Sequence, residues 1–312
     1  MKYAKHVVAA AFTLAFVFWL LGGEHWAALG AALARLPVGD LAWVALGFGV
    51  SYLLRAARVY NEFRHGAGVR FGVCLRIVLM HNAAVNVAPF RSGEAVFPVL
   101  LGRIFGTPLS RALASLFWFR LQDALVVAVL AVMVWPGLPL VLRLAGVAAL
   151  VVFAWALPRW ARRSHDWAAR GALAAKLARL RDAFAESAGH ARFGWFWTVA
   201  NWSVKLAAQA WLLAALLDVG FAGFNTGAAG ALGAELAAIL PIQGVAGFGT
   251  YEAGAAAALS PNGIALADGL RAALALHLFV IACALCAGAL AALLPGLGWK
   301  AVSSESVKVS NP

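Results

Sequence analysis

Charge is scarce in this sequence. Only 12% of its 312 residues are charged, with 13 acidic residues against 25 basic ones. Soluble globular domains carry about one quarter charged residues. A soluble core of this size would lack a polar coat, so a soluble enzyme, a nucleic-acid-binding domain and a disordered chain are excluded. Catalytic signatures are missing too. There is no G-x-x-x-x-G-K-[ST] loop, which disfavours ATP-driven pumping by this chain, and no G-x-S-x-G elbow of a serine hydrolase. No H-x-x-x-H or H-E-x-x-H spacing occurs among the seven histidines, so no metal and no other cofactor is expected. The three cysteines, Cys74, Cys283 and Cys286, lie in apolar runs and read as small core residues, the C-x-x-C of the last two included.

What the chain has instead is apolar surface. Hydrophobic residues make up 63% of it and the mean hydropathy is +0.84. At about 20 apolar residues per crossing, the sequence predicts an all-α, polytopic helical membrane protein folded as one integral membrane domain over 1–312. Spans are expected at about 6–22, 40–60, 112–135, 138–157, 193–217 and 266–294, with 23–39 interfacial. The run after Lys2 and Lys5 reads as a first membrane helix and not as a cleaved signal. Two stretches, 71–105 and 222–262, are apolar but broken by proline, glycine and polar residues.

Basic residues orient the chain. The connector 158–192 holds eight cations against Asp166, Asp182 and Glu186, and 55–76 holds Arg55, Arg58, Arg64, Arg70 and Arg76 against Glu62. Both ends are therefore expected in the cytoplasm, with both chain termini, while the loops near 22–40, 136 and 218–225 face outward. The net charge of +12 belongs to these loops and not to nucleic-acid binding. On this topology the two broken stretches are hairpins entering from opposite sides. Trp160, Trp167, Leu173, Leu177, Leu180 and Phe184 give the connector an apolar face for the bilayer, its cations meeting anionic head groups; a plain basic linker is the competing reading.

The halves overlay. Ser51-Tyr52-Leu53-Leu54-Arg55 resembles Asn201-Trp202-Ser203-Val204-Lys205. Arg55 precedes Pro89 by 34 positions and Arg120 by 65; Lys205 precedes Pro241 by 36 and Arg271 by 66. The prediction is two inverted repeats, about 40–135 and 193–294, each helix–broken hairpin–helix, a transporter plan with the site at the repeat interface.

The first hairpin carries Asn82 and Asn86 on one helix face, a stop at Pro89, Gly93 permitting a turn, and Arg91 and Glu94 where a new helix begins, suited to an anion. Against this stands a Glu94 that caps its own helix and an Arg91 that snorkels to the interface. The second hairpin has glycines at 244, 247 and 249, with Gln243, Thr250 and Glu252 as its polar groups; a packing turn is the alternative. Arg120 and Asp123, i and i+3 on a spanning helix, are expected to pair. Lys205 with Asn201 and Gln209 forms a polar stripe, either functional or an inward-facing structural one, and Arg271 reads as a snorkelling cation.

The run N-V-A-P-F-R-S-G-E (Asn86 to Glu94), then R-L-Q-D (Arg120 to Asp123), then P-I-Q-G-V-A-G-F-G-T-Y-E (Pro241 to Glu252), resembles the flippase-like membrane domain of lysylphosphatidylglycerol synthetases and its stand-alone homologues. The late turn departs from the pattern at Val245-Ala246-Gly247, where adjacent glycines are common. The chain ends at Pro312 without the soluble aminoacyl-transferring domain. The resemblance thus implies a flippase-like unit and not lipid lysinylation. The expected function is a bacterial inner-membrane lipid translocase, not an enzyme, that moves a polar or anionic amphipathic lipid. Its substrate-binding residues would be Asn82, Asn86, Arg91, Glu94, Arg120, Asp123, Lys205, Gln243 and Glu252. Its partners would be membrane lipids, with a soluble envelope-lipid enzyme and a second copy of the chain as further candidates. A lipid-modifying membrane enzyme, or an accessory subunit of a hopanoid or lipid-linked-sugar pathway, is the alternative.

Overall fold

The computed structural model describes residues 30–31, 33–66, 68–135, 137–163, 171–190, 193–239 and 245–293. The expected helix at 6–22 and the polar tail lie outside them. Among the described residues there is no strand. In chain order the α-helices are α1 (Val38–Phe63), α2 (Phe71–Val87), α3 (Val96–Phe105), α4 (Leu109–Val134), α5 (Leu140–Arg162), α6 (Ala172–His190), α7 (Gly194–Leu216), α8 (Phe224–Ile239), α9 (Thr250–Leu259) and α10 (Leu266–Leu293). In lipid every backbone donor and acceptor must be satisfied within the segment, which is why an apolar chain of this kind becomes helices and nothing else.

Four of these helices, α1, α4, α5 and α10, are long and apolar enough to cross a membrane. The expected span at 193–217 is the 23-residue helix α7. It falls short of that apolarity because Asn201, Lys205 and Gln209 stud it, and these face the bundle, not lipid. By contrast, none of the apolar window of α5 is buried, so this helix presents its side chains to the bilayer.

Both broken stretches are helical hairpins of unequal arms. Pro89 ends α2, a 3₁₀ helix (Pro89–Ala95) forms the turn, and α3 returns. In the second, α8 leads to a 3₁₀ turn (Val245–Gly247) and α9 returns. The order helix, hairpin, helix therefore occurs twice, as α1–α2–α3–α4 and as α7–α8–α9–α10. Packing follows the same rule: α1 lies along α7, α2 against α10, α8 against α4, and the two 3₁₀ turns touch. This scheme maps onto itself when the two halves are exchanged.

Glycine 93 acts differently from expectation. Its φ is ordinary, so it does not supply a left-handed turn. A Cβ there would stand 2.3 Å from the Ala84 carbonyl oxygen; glycine lets the turn lie directly on α2. The second turn does use left-handed backbone, at Ala246 (φ 53°), Gly247 (87°) and Gly249 (82°). The connector helix α6 packs on α4 and α5. Leu173, Leu177 and Leu180 are exposed on it, but Phe184 is buried against Trp118 with ring centres 5.2 Å apart. Phe184 thus belongs to the bundle and leaves the expected bilayer face; Trp167 lies outside the described residues.

Candidate functional site

A polar cavity of about 290 Å³ lies between the two halves. Its wall takes residues from both: Arg55 of α1, Asn82 and Asn86 of α2, Arg120 and Asp123 of α4, Lys205 of α7, Glu235 of α8, and Thr250 and Tyr251 beside the second turn. Arg120, Lys205 and His277 each sit near the middle of a long helix. An ionisable group at such a depth is costly and persists where it is paired or lines an aqueous space.

Three ion pairs build the wall. Arg120 donates to Glu94 Oε2 from Nη2 at 2.9 Å and from Nε at 3.2 Å, its Nη2 lies 2.8 Å from Glu94 Oε1, and the same Nη2 is 3.3 Å from His81 Nε2. Glu94 therefore fastens the first turn to α4. Arg58 donates to Asp123 at 2.7 Å, to Gln122 at 2.8 Å and to the Phe119 carbonyl at 2.8 Å, and stacks over the Phe119 ring. Trp202 donates to Asp123 at 3.1 Å. Lys205 meets Glu235 at 2.7 Å, and Gln209 donates to the same oxygen at 2.7 Å.

The expected Arg120–Asp123 pair is present but is the looser of the contacts each group makes. Those groups stand 3.6 Å apart, while each has a closer partner elsewhere, Glu94 for Arg120 and Arg58 for Asp123. A side chain at i+3 is near by construction, but partners from other helices arrive with better geometry. Arg58 itself, counted among cytoplasmic cations, is 5% exposed.

Glu252 is fully buried and behind the wall. One oxygen accepts the Gly249 N–H at 2.7 Å and caps α9; the other accepts from His277 Nδ1 at 2.7 Å. His277 lines the cavity, stacked on Tyr251 at 4.3 Å, and its Nε2 edge stands beside Gly247. Glu252 thus reaches the cavity only through His277. Asn82 and Asn86 line it as expected, although Asn86 also returns a bond to the Asn82 carbonyl. The Arg91 side chain and Gln243 lie outside the described residues. Arg271 pairs with Asp268 at the start of α10, away from the cavity. Among the described residues no group of His, Cys, Asp or Glu could hold a metal ion.

Sequence reasoning missed Arg55, Arg58, Trp202, Glu235 and His277 as wall and support. A signal existed for one: the overlay pairs Arg55 with Lys205, and both line the cavity. The same overlay pairs Arg120 with Arg271, where the geometry separates them. With this arrangement in place, comparison with known families matches residues 6–300 to the model of the lysylphosphatidylglycerol synthase TM region. No curated protein matches the chain.

Proposed function

The chain belongs to the family of the lysylphosphatidylglycerol synthase TM region, multi-pass membrane proteins related to lipid handling, and from that premise we propose that it is a lipid translocase of the bacterial inner membrane. One observation carries the reading: a polar, ion-paired cavity at mid-height of an apolar bundle, walled by both halves and by the second hairpin turn. The polar head group of an amphipathic lipid enters this cavity while its acyl chains stay in the bilayer. The Glu94–Arg120 pair latches the first turn to α4, and its release lets the hairpin move. Without an ATP-binding loop, transport is passive or proton-coupled. The cytoplasmic placement of both termini, and a lipid surface under α6, follow from the same charge pattern.

The test is head-group movement in liposomes holding the purified protein. Labelled lipid should cross with the intact chain and cross at least about tenfold more slowly with Arg120→Gln, which unlatches Glu94. If Glu94→Gln leaves the pH dependence of the rate unchanged, proton coupling through Glu94 falls; no movement of any lipid from folded protein removes the translocase reading.

The His277–Glu252 pair favours a second reading, a lipid-modifying enzyme, because a carboxylate on Nδ1 leaves Nε2 turned toward the cavity as a base. A lipid of new mass after incubation with the protein would establish it.

A further inference from the structure

The carboxylates in and behind the cavity wall differ in what holds them. Glu94 lies against Arg120, Asp123 against Arg58 and Glu235 against Lys205, each at 2.7–2.8 Å. Guanidinium and ammonium groups titrate far above neutrality. Glu252 is held instead by an imidazole, that of His277 on α10, at 2.7 Å. Histidine is the side chain whose charge changes near neutral pH. The geometry also fixes its tautomer. One Glu252 oxygen accepts the Gly249 N–H and the other faces His277 Nδ1, so Nδ1 carries the hydrogen and Nε2 keeps its lone pair. His277 lines the cavity, and its Nε2 has no hydrogen-bond partner among the described residues. His81 differs, because its Nε2 is already engaged, 3.3 Å from Arg120 and 3.5 Å from Glu94.

We propose that His277 is a proton-binding site of the transport cycle, and that Glu252 couples it to the second hairpin. Nε2 takes a proton from water in the cavity, giving an imidazolium, and returns it to water once the cavity faces the other side. No other bond forms or breaks. Glu252 links this step to movement, because its two oxygens hold the Gly249 turn and α10 at once. Charging the imidazole adds an ion pair to the existing hydrogen bond. The protonated site therefore binds the turn to α10, and loss of the proton loosens it at Ala246, Gly247 and Gly249, whose backbone is left-handed. The other charged and titratable groups around His277 have partners of their own. Tyr251 of α9 stacks on it and accepts from Gln209, Glu235 of α8 meets Lys205 of α7, and Arg55 of α1 donates to Asn82 of α2. On α4, Arg120 has Glu94 and Asp123 has Arg58. The inference rests on the translocase reading and supplies its coupling ion, at His277 and not at Glu94, whose charge Arg120 fixes.

Lipid distribution under a pH gradient tests it. Liposomes holding the intact protein and head-group-labelled phosphatidylglycerol are given a difference of about one pH unit, with the membrane potential clamped by potassium and valinomycin. One proton per lipid sets a limit of about tenfold on the resulting asymmetry between leaflets. The intact protein should reach about threefold or more beyond protein-free liposomes, and reversing the gradient should reverse the asymmetry, whichever way the protein is inserted. His277→Gln should leave the lipid evenly distributed. In Glu252→Gln, which keeps the imidazole, the pH of half-maximal rate at equal pH on both sides should fall by about one unit, since the carboxylate favours the charged imidazole. An even distribution with the intact protein overturns the inference, and that measurement needs no variant to fold. An asymmetry that survives in His277→Gln puts the proton elsewhere, and an unmoved midpoint in Glu252→Gln removes the coupling through the carboxylate. Lipid that moves without regard to the gradient leaves the translocase standing; folded protein that moves no lipid at equal pH removes both.

Discussion

At the residue scale, burial separates the ion pairs by consequence. Arg58 is a support: its guanidinium satisfies Asp123, Gln122 and a main-chain carbonyl together, within the bundle. Removing one partner of such a pair leaves a buried charge uncompensated, at about 3–5 kcal/mol. Arg58→Leu should therefore lower the melting temperature of the detergent-solubilised protein strongly, and adding Asp123→Asn should restore part of the loss. Arg271→Leu, which removes a largely exposed pair with Asp268, should cost about 0–1 kcal/mol. An equal shift for both would mean that Arg58 is hydrated in the membrane-embedded protein. Sequence alone could not rank these residues. Arg55 and Arg58 lie three positions apart in one helix, and both read as end-of-helix cations. Only packing shows that one meets a carboxylate from α4 and the other meets a cavity. Glu94 and Glu252 had equal standing for the same reason. Their partners, Arg120 and His277, come from helices 26 and 25 positions onward, where spacing rules are silent.

At the scale of the element, most of the fold was legible. Proline and glycine in an apolar run announce a broken helix, and both hairpins occur where the interruptions stand. The helix ends at 38–63, 109–134, 194–216 and 266–293 fall within a few residues of expectation, since long apolar runs bounded by charge leave little choice. What the run does not encode is how close the broken turn approaches its neighbour. Gly93 needs the absence of a side chain, because a Cβ would collide with the α2 main chain at 2.3 Å. Gly93→Ala should therefore displace the first turn, weaken the Glu94–Arg120 latch and slow lipid movement severely at similar helix content by circular dichroism. Gly49→Ala, with nothing within 4 Å of the added carbon, should move lipid at the parent rate. Equal behaviour of the two would show that the turn relaxes without consequence. The connector gave a mixed result for a related reason. An amphipathic pattern tells that α6 has an apolar side, but both a bilayer and a neighbouring helix satisfy it, and Phe184 chose Trp118.

At the scale of the whole molecule, the remaining question is whether the two halves are inverted, and the charge pattern makes a definite forecast. If α1 runs outward to inward, residues 64–70 are cytoplasmic, hairpin α2–α3 leaves from and returns to that side, and 106–108 are cytoplasmic too. Helix α4 then emerges outside at Gly137, and α5 brings the chain back to the basic connector. Helix α7 runs outward again, so Gly220 and Asn262, at the two ends of the second hairpin, both face the periplasm, and α10 returns inside. Every crossing alternates without an unpaired step, and each hairpin adds none. Single cysteines in a background freed of Cys74, Cys283 and Cys286 test each link with a membrane-impermeant thiol reagent on intact cells. Gly137→Cys, Gly220→Cys and Asn262→Cys should label directly. His65→Cys, Thr107→Cys and Arg179→Cys should label only after the membrane is opened. The decisive pair is Thr107 with Asn262, the return ends of the two hairpins. Label on both from one side would make the halves parallel, and the exchange of their packing partners would then need an axis along the membrane normal. Label from opposite sides places that axis in the membrane plane. The two turns then meet from opposite faces at the cavity, so that opening one and closing the other exposes the same head-group site first to one leaflet and then to the other.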